Sequence, residues 1–310
     1  MEVGFIVSNF VSINDKKDTS IYLMKEAFKR GYTVYFFDVS DVTFKQNSLY
    51  AHAHQIKFEN EADFTYSTEA KKQLSINDLD LVVNRVDPPF NKEYLYLTQL
   101  LELSGIECIN SARSLREHNE KLIILNFPEL IPETLVTNSV EEITNFMTDD
   151  RGKIVIKPLD GMGGKSIFYV EKNDKNLNVI WETITQNGRK HVIAQEYVPE
   201  AVNGDNRLTF INYELLPKKV VRVPSDSDFR GNLAVGATSV IKTVNDDDIA
   251  LAEMIIPFLK DNNIYFAGAD LLGTKLSEIN ITSPTCLQEI HNNSDLNPAA
   301  IFWDSLKSTN

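Results

Sequence analysis

A chain of 310 residues with 43% hydrophobic and 24% charged residues carries enough apolar material for two or three packed domains and does not read as disordered. Its 44 acidic against 31 basic residues give a net charge of −13, which argues against a general nucleic-acid or anionic-membrane surface and requires any anionic ligand to find a locally basic pocket. Cys108 and Cys286 alone offer neither a disulfide framework nor a zinc site and suit a reducing cytoplasm; no apolar run reaches the roughly 20 residues of a membrane span, and Glu2 without a basic leader marks a first strand and not a signal peptide.

Hydrophobic periodicity predicts a strand over 3–8, an amphipathic helix over 21–30 stopped by Gly31, and a second strand over 33–37. A strand over 80–84, a helix over 93–104 ended by Gly105 and an extended segment over 106–109 continue the alternation, which argues a small parallel sheet covered by helices. Ser111 can cap a helix over 115–126 that stops before Pro128. A second unit follows, with a helix over 140–147, strands over 154–156 and 166–170, a helix over 178–186 and a strand over 191–197. A third contains strands over 207–211 and 219–223, a polar stretch over 224–236 that is either a lid or slack, a helix over 247–260, a hairpin over 266–281 and helices near 287–291 and 298–307. The fold class is α/β.

Residues 157–164, Lys-Pro-Leu-Asp-Gly-Met-Gly-Gly, hold three of the thirteen glycines in four positions. Backbone that wraps an anion needs residues without Cβ. A Walker loop would place glycine at Leu159 and open a helix, and a dinucleotide loop would place glycine at Ser166; both fail. The remaining readings are a strand-to-strand flap that closes over polyphosphate, with Lys157 supplying charge, or an ordinary hairpin turn.

The hairpin over 266–281 is the second signal. A turn at Gly273-Thr274-Lys275 pairs Asp270 with Glu278 and puts Asn280 on the same face, so three hard oxygen donors cluster. Two carboxylates across a ladder repel unless an ion such as Mg²⁺ sits between them, or the strands show a solvated acidic face. Lys121, Lys157, Arg207, Arg222 and Arg230 are scattered between these anchors, and Arg207 and Arg222 lie in or beside apolar β runs, where a guanidinium needs a carboxylate, a phosphate or a wet cleft. Gln195, Glu196, Tyr197 and Val198 end a strand at a domain junction, an edge that suits an adenine, and Asp205 can hold ribose hydroxyls. The histidines at 52, 54, 118, 191 and 291 form no convincing pair with Ser or Cys.

The glycine loop, Gln195-Glu196-Tyr197, Gly204-Asp205-Asn206-Arg207, Arg230-Gly231-Asn232-Leu233 and Glu278-Ile279-Asn280-Ile281-Thr282-Ser283-Pro284-Thr285, with Asn84-Arg85-Val86-Asp87-Pro88-Pro89-Phe90 and Asn119-Glu120-Lys121-Leu122, together resemble the bacterial glutathione synthetase family of ATP-grasp ligases. The likeness spans essentially the whole chain, in order. It implies an N-terminal α/β substrate-side domain over 1–120, a central ATP-grasp subdomain with the flap over 121–198, and a C-terminal ATP-grasp subdomain with lid and metal site over 199–310. It also implies ATP-dependent joining of γ-glutamylcysteine to glycine through an acyl phosphate, with Mg²⁺ (or Mn²⁺), in a cytoplasmic homo-oligomer, a tetramer in that family. By matching position Lys121, Lys157, Gly161, Met162, Gly163, Gly164, Gln195, Glu196, Tyr197, Val198 and Asp205 bind ATP. Asp270, Glu278 and Asn280 bind metal. Arg207 and Arg222 steady the transferring group, and Arg85, Asp87, Arg230, Asn232, Thr282 and Ser283 face the peptide.

Three positions depart from the pattern. Val86 replaces a basic residue, Ala237-Thr238 replaces Gly-Arg, and Gln288 replaces an arginine, with Lys165 or Lys242 as neighbouring substitutes. Other readings stay open. A D-alanine-ligase-like enzyme would keep the phosphate and metal residues without the Asp-Pro-Pro-Phe segment. A non-catalytic nucleotide module would be expected to have lost Arg222 or Glu278. Phosphoryl transfer to an alcohol lacks an evident base.

Overall fold

The computed structural model describes residues 1–59, 64–161, 164–223 and 238–307. Three sheets organise them. The first has eight strands: Glu2–Val7, Thr33–Phe37, Leu81–Arg85 and Cys108–Ile109 run parallel, and Ser48–Phe58 adds to the Thr33–Phe37 side antiparallel, carrying Val42–Lys45, Tyr66–Thr68 and Lys72–Ser75. The sheet is therefore mixed and larger than the small parallel one expected. The eleven-residue strand Ser48–Phe58 buries Leu49, Ala51, Ala53, Ile56 and Phe58, a near-alternating pattern interrupted by polar letters.

The second sheet is antiparallel, in the order Phe168–Glu171, Lys153–Pro158, Val192–Glu196, Thr134–Thr137. Ile156 pairs with Phe168, so the glycine loop does join two neighbouring strands. The later strand begins at Phe168 and not at 166, because Gly164 and Ser166 turn through positive φ (75° and 57°). The third sheet runs Thr238–Thr243, Lys218–Val223, Asp205–Ile211, Phe266–Leu272, Lys275–Asn280, with Glu214–Leu215 beside Asp205–Ile211.

The helix expected over 115–126 is broken. It forms as Ala112–Glu117 and resumes as a 3-10 turn at Ile123–Asn126. Between them His118 is extended, and the Asn119 side-chain oxygen accepts from Lys121 N and Leu122 N (2.9 and 3.1 Å). A short amide that bonds its own backbone competes with helix propagation. The consequence is functional, since the break turns Lys121 toward the site.

The first and third sheets share one interior. Residues of the first strands and of helix Thr19–Lys29 pack with Leu287, Ile290, Phe302 and Trp303 of helices Leu287–Asn292 and Pro298–Lys307. Trp303 donates its indole N–H to Leu23 O at 3.0 Å and meets Phe5 edge-on. Buried Asn110 fixes the hairpin to the first sheet, donating to Phe266 O and Ile281 O (2.6 and 2.7 Å) and accepting from Phe266 N (2.7 Å). No helix among the described residues is long and apolar enough to cross a membrane.

Candidate active site

A cleft of about 1000 Å³, solvent mouth included, lies between the second and third sheets. It is lined by Lys121, Lys157, Gly161, Gly164, Gln195, Glu196, Tyr197, Val198, Asp205, Asp270 and Glu278, so the flap and the hairpin face one space. Lys165 and Lys275 also line it, giving four lysines in one cleft of a chain with a net charge of −13. They stand beside four carboxylates, Glu196, Asp205, Asp270 and Glu278, so the lining is charge-balanced where the chain as a whole is acidic. Met162 and Gly163 of the loop, Arg230 and Asn232 lie outside the described residues, as does the whole of the stretch 224–236 read as a lid or slack.

Two lysines tie the flap to the hairpin. Lys157 donates to Gln195 Oε1 and Ser277 Oγ (2.9 and 3.0 Å), and Lys121 donates to Gly161 O and Glu278 Oε1 (2.6 and 3.2 Å). Burial pulls the Lys157 ammonium down to about 8, despite the attraction of Glu278. A polyphosphate beside it restores the proton, so ATP binding is expected to take up about half a proton at pH 8 and under about 0.1 at pH 7. Calorimetry in buffers of different ionisation enthalpy reads this directly, and equal uptake at both pH values would contradict it. The sign follows from the downward shift: charge on Lys157, and with it ATP affinity in the free protein, is lost as pH rises through about 8.

The hairpin reaches the expected facing by a different route. Its turn has two residues, Gly273 and Thr274; Leu272 pairs with Lys275 and Leu271 with Leu276, yet Asp270 still pairs with Glu278. Ser277 is left as the extra residue of a bulge, and both Ser277 and Glu278 line the cleft. Sequence reasoning missed Ser277, because strict alternation sends 277 and 278 to opposite faces; it also missed Lys275 and the apolar walls Pro132, Val155, Ile167 and Leu272.

The acidic pair does not need an ion to be tolerated. Arg207 grips Asp270 with two 2.7 Å bonds, Nε to Oδ1 and Nη2 to Oδ2, and Arg222 Nη2 lies 2.9 Å from Oδ2. Burial alone would raise Asp270, but the two guanidiniums outweigh it and hold the carboxyl well below its usual range. Arg222 Nε also bonds Asp205, whose carboxyl burial raises to about 6. Gly204 permits this approach: its φ is +97°, and a Cβ there would sit 2.7 Å from Arg222 O.

Oxygen donors remain for a cation. Asp270, Glu278 and Asn280 share the hairpin face, and Asn280 Nδ2 donates to Asp270 Oδ2 at 3.1 Å. Among the described residues no three His, Cys, Asp or Glu side chains gather as a metal site, so the Asn280 amide oxygen is needed to complete three donors. An all-oxygen set of this kind fits a hard divalent ion. Arg222 Nη2 is buried without a hydrogen-bond partner of good geometry, and Arg85 Nη1 is buried without one. A buried donor without a partner is costly, so Arg85 Nη1 is the one of the two with room for an anionic group, Arg222 Nη2 already facing Asp270.

Of the residues read as facing the peptide, the described ones, Arg85, Asp87, Thr282 and Ser283, do not line this cleft. Arg85 donates to Ser20 Oγ at 3.1 Å and stands 5.6 Å over the Phe266 ring, and Ser283 bonds Asp87. Thr282 gives its hydroxyl to Glu120 (2.8 Å), and Thr285 accepts from Arg207 Nη1 (2.8 Å), so the 282–285 segment links Glu120 to the arginines. Val86 is buried in the core, where a charge would be costly. Gln288, equally buried, donates to the carbonyls of Asp15 and Asp18 (3.0 and 2.5 Å), a bracing role that an amide fills without charge. Of the two substitute lysines, Lys165 lines this cleft, and Lys242 sits on the strand Thr238–Thr243 opposite Lys219.

Comparison with known proteins agrees with this geometry. Residues 1–116 match the prokaryotic glutathione synthetase N-terminal domain, and residues 120–295 match the prokaryotic glutathione synthetase ATP-grasp domain. The chain is 37% identical over 310 residues to a glutathione synthetase of Vibrio parahaemolyticus (99% of this chain, 98% of the relative) and 39% identical over 310 residues to one of Wigglesworthia glossinidia brevipalpis (99% and 98%). Among solved structures, a D-cycloserine synthetase superposes with a TM-score of 0.71 at 14% identity (100% of this chain, 99% of that one), and a D-alanyl-alanine synthetase A of Vibrio cholerae with 0.60 at 12% (97% and 96%), likenesses of fold alone. With both domain models matched in order and flap, lysines and acid hairpin meeting in one cleft, the chain belongs to the prokaryotic glutathione synthetases.

Proposed function

We infer that this chain joins γ-glutamylcysteine to glycine at the expense of ATP, the reaction of the family it belongs to, and that the cleft between the second and third sheets holds the nucleotide. The observation that carries the assignment to this cleft is the pair of lysine bridges: Lys121 and Lys157 each touch both the flap side and the hairpin side. Glu196 N–H and Tyr197 N–H already donate to Glu133 O and Lys153 O (2.9 and 3.0 Å), so amide donation to an adenine edge from this hinge falls to Val198. Apolar Val155, Ile167 and Leu272 supply the walls for a base, and Asp205 faces the sugar.

In this reading the dipeptide carboxylate attacks the γ-phosphorus and ADP leaves. The glycine amine then attacks the acyl carbon, and phosphate departs from the tetrahedral intermediate. No protein nucleophile is required, so the chain contributes position and charge. Lys121, Lys157 and the backbone of Gly161, Met162, Gly163 and Gly164 hold the phosphates. Arg207 orients Asp270, and Arg222, held by Asp205 and Asp270, sets its guanidinium to steady the oxygen that gains charge. Asp270, Glu278 and Asn280 would hold Mg²⁺, or Mn²⁺, which supplies charge neutralisation for the polyphosphate when bound. Arg85, Asp87, Thr282 and Ser283 form the peptide side, and Arg230 and Asn232 join them by matching position only. A cytoplasmic homotetramer is part of the same reading.

Phosphate release from Mg²⁺-ATP and γ-glutamylcysteine is expected only on addition of glycine. Equal release with alanine or buffer would overturn the acceptor assignment, and no binding of nucleotide would overturn the site.

A further inference from the structure

The strand that carries Glu278 and Asn280 ends at Asn280, which pairs with Gly268, and Ile281 follows it unpaired. Past that point side chains hold the backbone. Asn110 takes Ile281 O at 2.7 Å. On the other side one half-buried carboxylate oxygen, Glu120 Oε1, accepts from Ile281 N, Thr282 N and Thr282 Oγ1 at 2.7, 2.8 and 2.8 Å, while Glu120 O accepts from Ile279 N at 3.1 Å. Glu120 thus grips the segment on both sides of Asn280.

Its neighbours hold the flap. Asn119 Nδ2 donates to Leu159 O (3.0 Å), and Lys121 reaches both Gly161 O and Glu278. Three consecutive side chains at the broken helix therefore link the stem of the glycine loop to the hairpin. A chain segment that only closed a core would not need a carboxylate under three donors. Such charge-assisted bonds are short and directional, and they fix the angle of the peptide units they hold.

We propose that Glu120 is a positioning residue, which sets the strand end so that Glu278 and Asn280 present their oxygens together to a divalent cation. This rests on the reading of that hairpin as the metal face. Partners that orient metal-binding side chains typically cost ten- to a hundredfold in metal affinity when removed, which sets the expected effect at about tenfold or more.

The test measures Mn²⁺ binding by loss of the free-ion EPR signal in the presence of a non-hydrolysable ATP analogue, and separately the analogue's affinity in EDTA by calorimetry. Glu120→Ala is expected to weaken Mn²⁺ about tenfold or more, with the metal-free analogue affinity within about threefold of wild type. Glu120→Gln, which keeps an acceptor oxygen, restores Mn²⁺ binding to within about threefold. Should Glu120→Ala fail to fold, Thr282→Val removes one of the three bonds and is expected to shift Mn²⁺ affinity in the same direction by a smaller factor. Unchanged Mn²⁺ affinity in the folded variants overturns the proposal, as does equal weakening of metal and metal-free nucleotide. Absence of Mn²⁺ binding by the wild type would instead overturn the metal face itself.

Discussion

Arg207→Ala is expected to lower the thermal midpoint by about 10 °C and to abolish turnover. Arg207 supplies two of the three guanidinium contacts to buried Asp270, and its removal leaves that carboxylate with Arg222 alone, towards the low end of the about 3–5 kcal/mol that breaking a buried pair costs. The double variant Arg207→Met with Asp270→Leu, which removes both charges, is expected to recover most of that stability and none of the turnover, while Arg222 keeps its bond to Asp205. Scanning calorimetry beside a phosphate-release assay separates the two effects. A single variant that melts within about 2 °C of wild type would show that this pair is not the anchor of the third sheet.

Glu278→Gln is expected to do the reverse, cutting glycine-dependent phosphate release by about 10³ or more while leaving the midpoint within about 2 °C. The Glu278 side chain is 24% exposed, and its ion pair with Lys121 spans 3.2 Å, a contact weak enough in a wet cleft to lose without unfolding. Lys121 keeps its 2.6 Å bond to Gly161 O. The lost quantity is a charged oxygen donor beside Asp270 and Asn280. Retention of turnover within about tenfold would remove Glu278 from the metal face.

Much of this was legible in the letters because local chemistry and tertiary placement agree. Glycines after an apolar strand mark the loop between two paired strands, and Asp270 lies opposite Glu278 as the hairpin pattern suggested. What escaped depends on contacts between distant segments. The Asn119 turn breaks a helix that periodicity favours, and a bulge at Ser277 aims two consecutive side chains into one cleft. The strand Ser48–Phe58 was overlooked because histidines and a glutamine interrupt its apolar alternation. The need for a cation between the carboxylates was overstated, since arginines 63 residues upstream in one case and closer in the other neutralise Asp270 first.

The indole of Trp303 lodged against Phe5 and Leu23 has a consequence for biosynthesis. Until the helix Pro298–Lys307 has left the ribosome, the apolar surface formed by Val3 and Phe5 of the first sheet and Ile21 of the helix Thr19–Lys29 lacks part of its cover, although everything needed for that sheet was translated long before. The nascent polypeptide must then shield an oily surface for most of its synthesis, a task suited to a chaperone, and the N-terminal lobe expressed by itself would be prone to aggregate.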